Sequence, residues 1–221
     1  QFDAPADPLA LKRLLPIEAK QRRFRAEVLY AVQWAPGAGH EAIAPWLPLL
    51  QRIQQAGKGV VVDVTPDDFD FVFDTNTRGA FFVAQETAKR MIARAKGAEK
   101  NGSPLPQSRI INIASVAGLK VLSQIGVYCM SKAAVVHMTK AMALEWGRLG
   151  INTNAICPGY IDTEINHHHW ETEAGQKLVQ MLPRKRVGKP EDLDGLILLL
   201  ASDQSDFING AVIQADDGFG V

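Results

Sequence analysis

Tyr128 and Lys132 are the two residues whose types and spacing point most directly to chemistry. They lie four positions apart in a stretch that predicts a helix, so their side chains share one face and come within reach of each other. A phenol with an ordinary pKa of about 10 is a poor acid or base at neutral pH. A neighbouring ammonium favours the phenolate, which lowers that pKa towards useful proton transfer. The alternative is an aromatic ring that packs on the lysine stem, because this spacing often arises by chance.

Ser115 and Asn76 are the next candidates. Ser115 follows a β-branched run that predicts a buried strand over 109–114, and open α/β sheets place their ligands at the carboxyl edge of such strands. Its hydroxyl is suited to bind a substrate oxygen, or alternatively to cap a turn. Asn76 and Gly79 are poor helix formers inside a helix predicted over 65–95, which indicates a kink or a polar task, or else a tolerated defect.

The elements that must position these residues alternate in type after residue 65. Thr65 as N-cap, Pro66 at the first helical position and acids in the first turn predict a helix start. The remaining patterns predict strands over 109–114, 152–157 and 210–214, and helices over 127–149 and 190–200. Helices that alternate with β-branched runs predict an α/β fold with a parallel sheet covered on both faces.

The first 64 residues have a different character, with six prolines and little periodicity. They predict a strand over 27–34, a short helix over 46–55 and a second strand over 59–64, which together make a poorly defined β-α-β unit. Residues 12–25 carry six basic side chains. We interpret them as a solvated helical face, with a nucleic-acid patch as the alternative.

Composition narrows the function classes. The 221 residues suit one domain, and 47% apolar with 22% charged residues is an ordinary globular balance. Lys+Arg and Asp+Glu are equal at 24 each, so charge gives no reason to expect nucleic acid or an anionic membrane as partner. No apolar run approaches the length of a membrane span, and the N-terminus lacks a secretory pattern. Cys129 and Cys157 predict reduced thiols in a cytoplasmic protein.

An ordered series of motifs in residues 65–221 resembles the classical short-chain dehydrogenases/reductases. The motifs are Asn76-x-x-Gly79, Asn112-Ile-Ala-Ser115, Tyr128-x-x-x-Lys132, Asn154-Ala-Ile-Cys-Pro158-Gly159, Arg186-Val-Gly188-Lys-Pro190-Glu191-Asp192 and Asn209-Gly210 through Gly218. The resemblance implies a Rossmann-like, doubly wound parallel sheet whose first β-α-β region, within residues 1–64, is degenerate or truncated. It also implies a single domain over 1–221 whose catalytic half is 65–221.

The resemblance also implies roles for individual residues. Tyr128 would exchange a proton with the substrate oxygen, Lys132 would lower the pKa of Tyr128 and hold the nicotinamide ribose, Ser115 would fix the substrate oxygen, and Asn76 would hold a water in a proton relay. The cofactor would be NAD or NADP, with no preference readable from the sequence. Besides Tyr128 and Lys132, the cofactor-binding residues would be Pro158, Gly159, Ile161 and Thr163.

Residues 164–170 would form the family's mobile lid over a small-molecule substrate. They include His167, His168 and His169. Adjacent histidines on a helix point in different directions and no acidic or thiol ligand set accompanies them, so we expect lid residues rather than a metal site.

Two expected motifs are missing, and one of them is the Asn-Asn-Ala-Gly turn that supports the central sheet in the family. The family's Thr-Gly-x-x-x-Gly-x-Gly turn, which cradles the cofactor pyrophosphate at a helix N-terminus, is absent, and Pro36–His40 is the only nearby candidate, with Asp63 as a possible ribose-binding acid. The dinucleotide half is then diverged but working, rearranged, or lost together with catalysis.

The first hypothesis is an NAD(P)-dependent oxidoreductase that interconverts a secondary alcohol and a ketone, with 3-oxoacyl or 3-hydroxyacyl compounds among the candidate substrates. The second is an inactive homologue that acts as an oligomeric partner. Both are expected to form homodimers or homotetramers through the long helices over 69–95 and 127–149.

Overall fold

The sheet consists of three parallel strands in the computed structural model, which describes residues 58–104 and 106–221. They are β1 (Ser108–Ile113), β2 (Ile151–Pro158) and β3 (Val212–Ala215), in the order β1-β2-β3. Ser108 pairs with Ile151 at the start of β1, and Ala155 pairs with Val212 at the start of β3. All three strands therefore end at the same edge of the sheet.

The helices alternate with these strands as predicted. α1 (Pro66–Phe73) begins at Thr65, whose hydroxyl accepts a hydrogen bond from the Asp68 backbone N–H. A π-helical turn, Asp74–Gly79, separates α1 from α2 (Ala80–Lys100). The other helices are α3 (Gly126–Trp146), α4 (His167–Glu171), α5 (Glu173–Met181) and α6 (Asp194–Ala201). Short 3₁₀ turns span Val61–Asp63, Val116–Gly118, Gly147–Leu149, Pro190–Leu193 and Asp203–Ser205.

Side chains of the strands pack alternately against two layers of helices. On one face, Ile110 of β1 and Ile151 of β2 pack with Ala88 of α2 and Met142 of α3. On the other face, Ile156 of β2 packs with Leu193 and Leu200. Successive side chains of a pleated strand point to opposite faces of the sheet, which explains this alternation. The expected α/β sheet with helices on both faces is confirmed.

The predicted strand over 59–64 is wrong. Val61–Asp63 form a 3₁₀ turn, and Gly59 makes a single parallel bridge to Ile125. Three successive valines favour a strand by propensity, but a strand also needs a partner ladder, and within residues 58–104 and 106–221 none extends beyond this bridge. The predicted elements over 27–34 and 46–55, the basic stretch over 12–25 and the Pro36–His40 turn lie outside the described residues.

Cys129 and Cys157 are both buried and are not joined by a disulfide. Among the helices that the structure describes, none is long and apolar enough to cross a membrane.

Candidate active site

The carboxyl end of β1 brings Ser115 to the edge of the sheet. Ser115 is in an extended conformation directly after Ala114, and its hydroxyl oxygen accepts a hydrogen bond of 3.1 Å from the Ala117 backbone N–H. The expected alternative, a turn cap, is therefore part of its role. That bond occupies a lone pair of the oxygen and leaves the O–H as a donor for a second group.

Tyr128 and Lys132 lie on the first turns of α3, with the Lys132 Nζ 5.8 Å from the centroid of the Tyr128 ring. Tyr128 is half-buried, whereas Lys132 is only 2% exposed. The ammonium donates a hydrogen bond of 3.1 Å to the carbonyl of Ile113, the last residue of β1. The helix and the strand end are thus joined through the amine of Lys132.

Burial lowers the pKa of Lys132 below its usual range, because an ammonium loses hydration in the interior. The neighbouring Tyr128 and Cys157 oppose that shift, since their anionic forms would favour the ammonium. A buried lysine is rare unless it is paired or has a task, and this one has a lowered pKa and a phenol beside it. The site therefore places a buried amine with a lowered pKa beside a phenol.

Cys157 of β2 connects Ser115 to Lys132. It is completely buried, the backbone of Ser115 hydrogen-bonds to its thiol, and Lys132 lies within electrostatic reach. Burial raises the pKa of Cys157, and the Ser115 and Lys132 contacts only partly oppose this. The thiol therefore remains neutral at neutral pH and supplies no charge to the site.

Asn76 occupies the π-helical turn Asp74–Gly79, where a kink or a polar task was predicted. Its side chain is 3% exposed, and its Nδ2 donates a hydrogen bond of 3.0 Å to the Ser131 hydroxyl. The Oδ1 atom is buried and has no hydrogen-bond partner among the described residues. Asn76 and Lys132 both line a cavity of about 270 Å³ beside β1. A buried acceptor without a protein partner, in a cavity large enough for water, suits an ordered water molecule.

The sequence patterns missed Ser131. It lies on α3 between Tyr128 and Lys132, it is completely buried, and it is the direct partner of Asn76. The only available signal was a small hydroxyl residue next to the lysine, which is too common to single out.

Pro158 ends β2 beside the end of β3, and Gly159 follows it. The Gly159 N–H donates to the Ala215 carbonyl at 3.0 Å, and a Cβ on Gly159 would lie 2.7 Å from the Asp216 Cβ. Only glycine fits such a close approach. The chain then continues through Ile161, which forms a bridge with Gly188, to Thr163.

Thr163 directly precedes the segment expected to form a lid, residues 164–170. Its backbone N–H and its hydroxyl both donate to the Asn166 Oδ1, at 2.7 and 3.1 Å, and this arrangement precedes α4. His167 contacts both carboxylate oxygens of Asp162 at 3.0 Å, and these contacts raise the pKa of His167. The segment is therefore ordered by its own side chains.

The neighbouring histidines take different partners. His168 Nδ1 lies 3.3 Å from a Glu171 oxygen, and the His169 ring contacts the Trp170 ring with centroids 5.0 Å apart. Within the described part of the chain, no group of three His, Cys, Asp or Glu residues is arranged to hold a metal ion.

The structure thus gathers the four predicted catalytic residues around the end of β1. Tyr128 and Lys132 are paired on α3, Asn76 shares a cavity with Lys132, and Ser115 is connected to Lys132 through Cys157. Pro158 and Gly159 lie at the same edge of the sheet, whereas Ile161 and Thr163 lead away from it towards α4.

Several known proteins resemble this chain in sequence and fold. The family model for enoyl-(acyl carrier protein) reductase matches residues 50–220. The NAD-dependent glycerol dehydrogenase of Listeria innocua is 34% identical over 157 residues, which are 71% of this chain and 58% of that protein. The 3-oxoacyl-(acyl-carrier-protein) reductase MabA of Mycobacterium bovis is 31% identical over 191 residues, which are 86% of this chain and 72% of the relative.

A solved structure has the same fold. The gluconate 5-dehydrogenase of Burkholderia cenocepacia, in complex with NADP and tartrate, superposes with a TM-score of 0.65 at 34% identity, covering 73% of this chain and 60% of that one. The chain spans 58%, 62% and 56% of the lengths of three curated relatives, the glycerol, sorbitol and D-threitol dehydrogenases. The family match extends over most of the chain and the fold is a Rossmann-like α/β fold. The chain belongs to the short-chain dehydrogenase/reductase family.

Proposed function

We propose that this protein is an NAD(P)-dependent oxidoreductase that interconverts a secondary alcohol and a ketone. The observation that carries the proposal is the buried Lys132 ammonium, which lies between the Ile113 carbonyl and the Tyr128 ring. Keeping an ammonium 2% exposed costs free energy that packing alone does not explain. Beside a phenol at the ligand-binding edge of a parallel sheet, its function is proton transfer.

In this proposal Tyr128 exchanges the proton and Lys132 assists it. When a ketone is reduced, the phenol gives its proton to the substrate oxygen, and the resulting phenolate is stabilised by the ammonium beside it. In the direction of alcohol oxidation, the phenolate accepts the hydroxyl proton. The coupling between Tyr128 and Lys132 favours the ammonium while the phenolate is present.

Ser115 and Asn76 complete the proton-transfer site. The Ser115 O–H donates to the substrate oxygen and so stabilises the charge that develops on it. Asn76 accepts a water through its buried Oδ1, and that water reaches the Lys132 amine across the shared cavity. The proton lost by Tyr128 is thereby replaced from solvent through Lys132.

The nicotinamide cofactor, when bound, supplies or accepts the hydride. Tyr128 and Lys132 would hold its ribose, and Pro158, Gly159, Ile161 and Thr163 would line its nicotinamide end. The residues fit such a group, because Tyr128, Lys132, Pro158 and Gly159 lie at the carboxyl edge of the parallel sheet, where open α/β sheets bind their ligands.

Two substrate classes follow from the relatives. Glycerol, sorbitol and D-threitol dehydrogenases act on polyols, and MabA acts on a 3-oxoacyl thioester of acyl carrier protein. Both classes present a secondary alcohol or a ketone to the same proton donor. A substrate screen therefore needs sugar alcohols as well as 3-oxoacyl thioesters.

We also propose that the protein forms a homodimer or homotetramer through α2 and α3. These helices border an apolar groove of about 550 Å³, lined by Phe81, Phe82, Ile92, Met138 and Trp146 among others. Phe81 and Phe82 remain 38% and 40% exposed. A second copy of the same pair of helices would bury this surface symmetrically. Light scattering of the wild type and of Phe82→Glu tests this, and an unchanged mass in the variant would argue against the groove.

The second candidate function is an inactive homologue that acts as an oligomeric partner. The observation that favours it is the absence of the Thr-Gly-x-x-x-Gly-x-Gly turn from the sequence, because without that turn much of the cofactor binding energy is lost.

Titration of the full chain with NADH and with NADPH, followed by cofactor fluorescence or heat, discriminates between the two candidates. Saturable binding at about one cofactor per chain, followed by turnover of a polyol or a 3-oxoacyl thioester, supports the enzyme. Oligomers that bind neither nucleotide support the inactive homologue.

A further inference from the structure

Ser131 is held between two functional residues that are far apart in sequence. Its hydroxyl donates a hydrogen bond of 2.8 Å to the Tyr128 carbonyl, one turn earlier on α3. The same oxygen accepts a hydrogen bond of 3.0 Å from the Nδ2 of Asn76. Ser131 is completely buried and Asn76 is 3% exposed, so water does not compete for either bond.

The backbone of Ser131 makes a second contact with the π-helical turn. The Thr77 hydroxyl donates to the Ser131 carbonyl at 3.1 Å, next to the bond made by Asn76. Asn76 and Thr77, which are consecutive in the turn, therefore bind the hydroxyl and the carbonyl of Ser131. This double contact ties the turn to the segment of α3 that carries Tyr128 and Lys132.

The Ser131 contact decides which way the Asn76 amide points. With an acceptor at Ser131, the nitrogen of the amide lies on that side and the Oδ1 lies on the opposite side. The Oδ1 has no other partner among the described residues to hold it there. Without the hydroxyl, the two orientations of the amide become closer in energy, and the rotated form presents N–H where the acceptor was.

We propose that Ser131 is a positioning residue, which fixes the Asn76 side chain so that its oxygen faces the cavity it shares with Lys132. This inference rests on the proposed function, because the orientation matters through the proton relay. Ser131 contacts neither substrate nor cofactor in this proposal and acts only through Asn76 and the turn that bears Tyr128.

The same helix contains a matched control. Two turns further along α3, the Thr139 hydroxyl donates to the Val135 carbonyl at 2.8 Å and accepts from the Asn112 Nδ2 at 2.9 Å. Thr139 is also completely buried. Thr139→Val therefore removes an equivalent hydroxyl with an equivalent asparagine partner and leaves the contacts of Asn76 intact. Because Asn112 lines the same cavity as Asn76 and Lys132, this variant controls for a change in the cavity wall that does not involve Asn76.

The test compares Ser131→Ala, Thr139→Val and Asn76→Ala with the wild type in steady-state kinetics. Ser131→Ala is expected to lower kcat by about 10- to 100-fold, as for a misplaced catalytic group, with little change in KM. The pH at which kcat is half-maximal is expected to shift as it does in Asn76→Ala, and the double variant is expected to shift no further. A stability loss alone would not move this profile, and Thr139→Val is expected to leave it in place.

A second readout does not need turnover. The side-chain amide signals of asparagine are visible in ¹⁵N-correlated NMR spectra, and Asn76→Ala and Asn112→Ala identify the two pairs of interest. Ser131→Ala is expected to move the Asn76 pair and leave the Asn112 pair in place, whereas Thr139→Val does the reverse.

The outcomes distinguish a failure of the proposed oxidoreductase function from a failure of the inference that Ser131 positions Asn76. If the wild type turns over no substrate, the proposed function fails and the NMR spectra alone decide whether Ser131 orients Asn76. An Asn76 amide pair that is unmoved in Ser131→Ala overturns the inference. So does a pH profile in Ser131→Ala equal to that of the wild type, in an enzyme whose Asn76→Ala profile is shifted.

Discussion

Gly118 lies directly against the backbone of Lys132. A Cβ built on Gly118 would be 2.7 Å from the carbonyl carbon of Lys132 and 2.8 Å from its carbonyl oxygen. Gly118 ends the turn that Ser115 caps, so this close approach fixes the loop after β1 against the helix that carries Tyr128 and Lys132. The distance between the Ser115 hydroxyl and the Tyr128–Lys132 pair therefore depends on a glycine that has no functional group of its own.

Gly118→Ala is expected to destabilise the fold by about 1–3 kcal/mol, because the added methyl meets backbone that cannot move aside. Thermal or urea unfolding measures this. Gly97→Ala is the matched control: it lies in α2, its Cβ would meet nothing within 4 Å, and it is expected to stabilise by about 0.5–1 kcal/mol. A Gly118→Ala protein as stable as the wild type would mean that the turn is free to shift.

Tyr128→Phe is expected to abolish turnover, since it removes the proton that is transferred and keeps the ring. General acid–base groups contribute about 10²- to 10⁴-fold to a rate, and at least that loss in kcat is expected. Circular dichroism and cofactor titration should match the wild type. Substantial residual turnover would remove Tyr128 from the proton-transfer role.

Lys132→Met is expected to lower turnover and to weaken cofactor binding. In the proposed function, the same amine assists proton transfer by Tyr128 and holds the nicotinamide ribose. Lys140→Met removes an exposed lysine two turns further along the same helix and should change neither quantity. Cofactor titration of the two variants measures the difference. Equal affinities would argue against a contact between Lys132 and the ribose.

The His167–Asp162 contact predicts a pH dependence of the segment before α4. The contact raises the pKa of His167 above its ordinary value of 6.5. The stabilisation it gives is complete below pH 6.5 and is lost as the pH rises through the raised value. Asp162→Asn should bring the pKa of His167 back towards 6.5, as measured by NMR titration of the imidazole protons. A His167 that titrates identically in both proteins would mean that the pair does not persist in solution.

Local patterns were sufficient to predict the second half of the fold. The strand over 109–114 and the helix over 127–149 differ from β1 and α3 by no more than a few residues, because periodicity and capping are properties of the segment itself. The strand predicted over 59–64 is wrong for a related reason. The valines at 60–62 have a high strand propensity, but a strand also needs a neighbouring strand to pair with, and local sequence does not show whether one is present.

The residues of the candidate site also fall into those that local sequence could identify and those that it could not. Tyr128 and Lys132 were identifiable because their spacing places them on one helix face. Ser131 and Cys157 were not, because their importance comes from contacts with Asn76 and Ser115, which lie 55 and 42 positions away in sequence. Gly118 was missed because its close neighbour is the backbone of another element.

The π-helical turn at Asp74–Gly79 has a consequence for how this site tolerates change in chain length. A π turn closes its hydrogen bonds over one residue more than an α turn, so it holds one extra residue within an otherwise regular helix. Deleting one residue there would let α1 and α2 join into a continuous α-helix with little change in their relative orientation, but the residues of the turn itself would lose their present positions. The helix would survive such a shortening, but Asn76 would lose its alignment with Ser131. The number of residues in this turn is therefore constrained by the site and not by the stability of the helix. An insertion or deletion here would leave the fold intact while it disrupts the site.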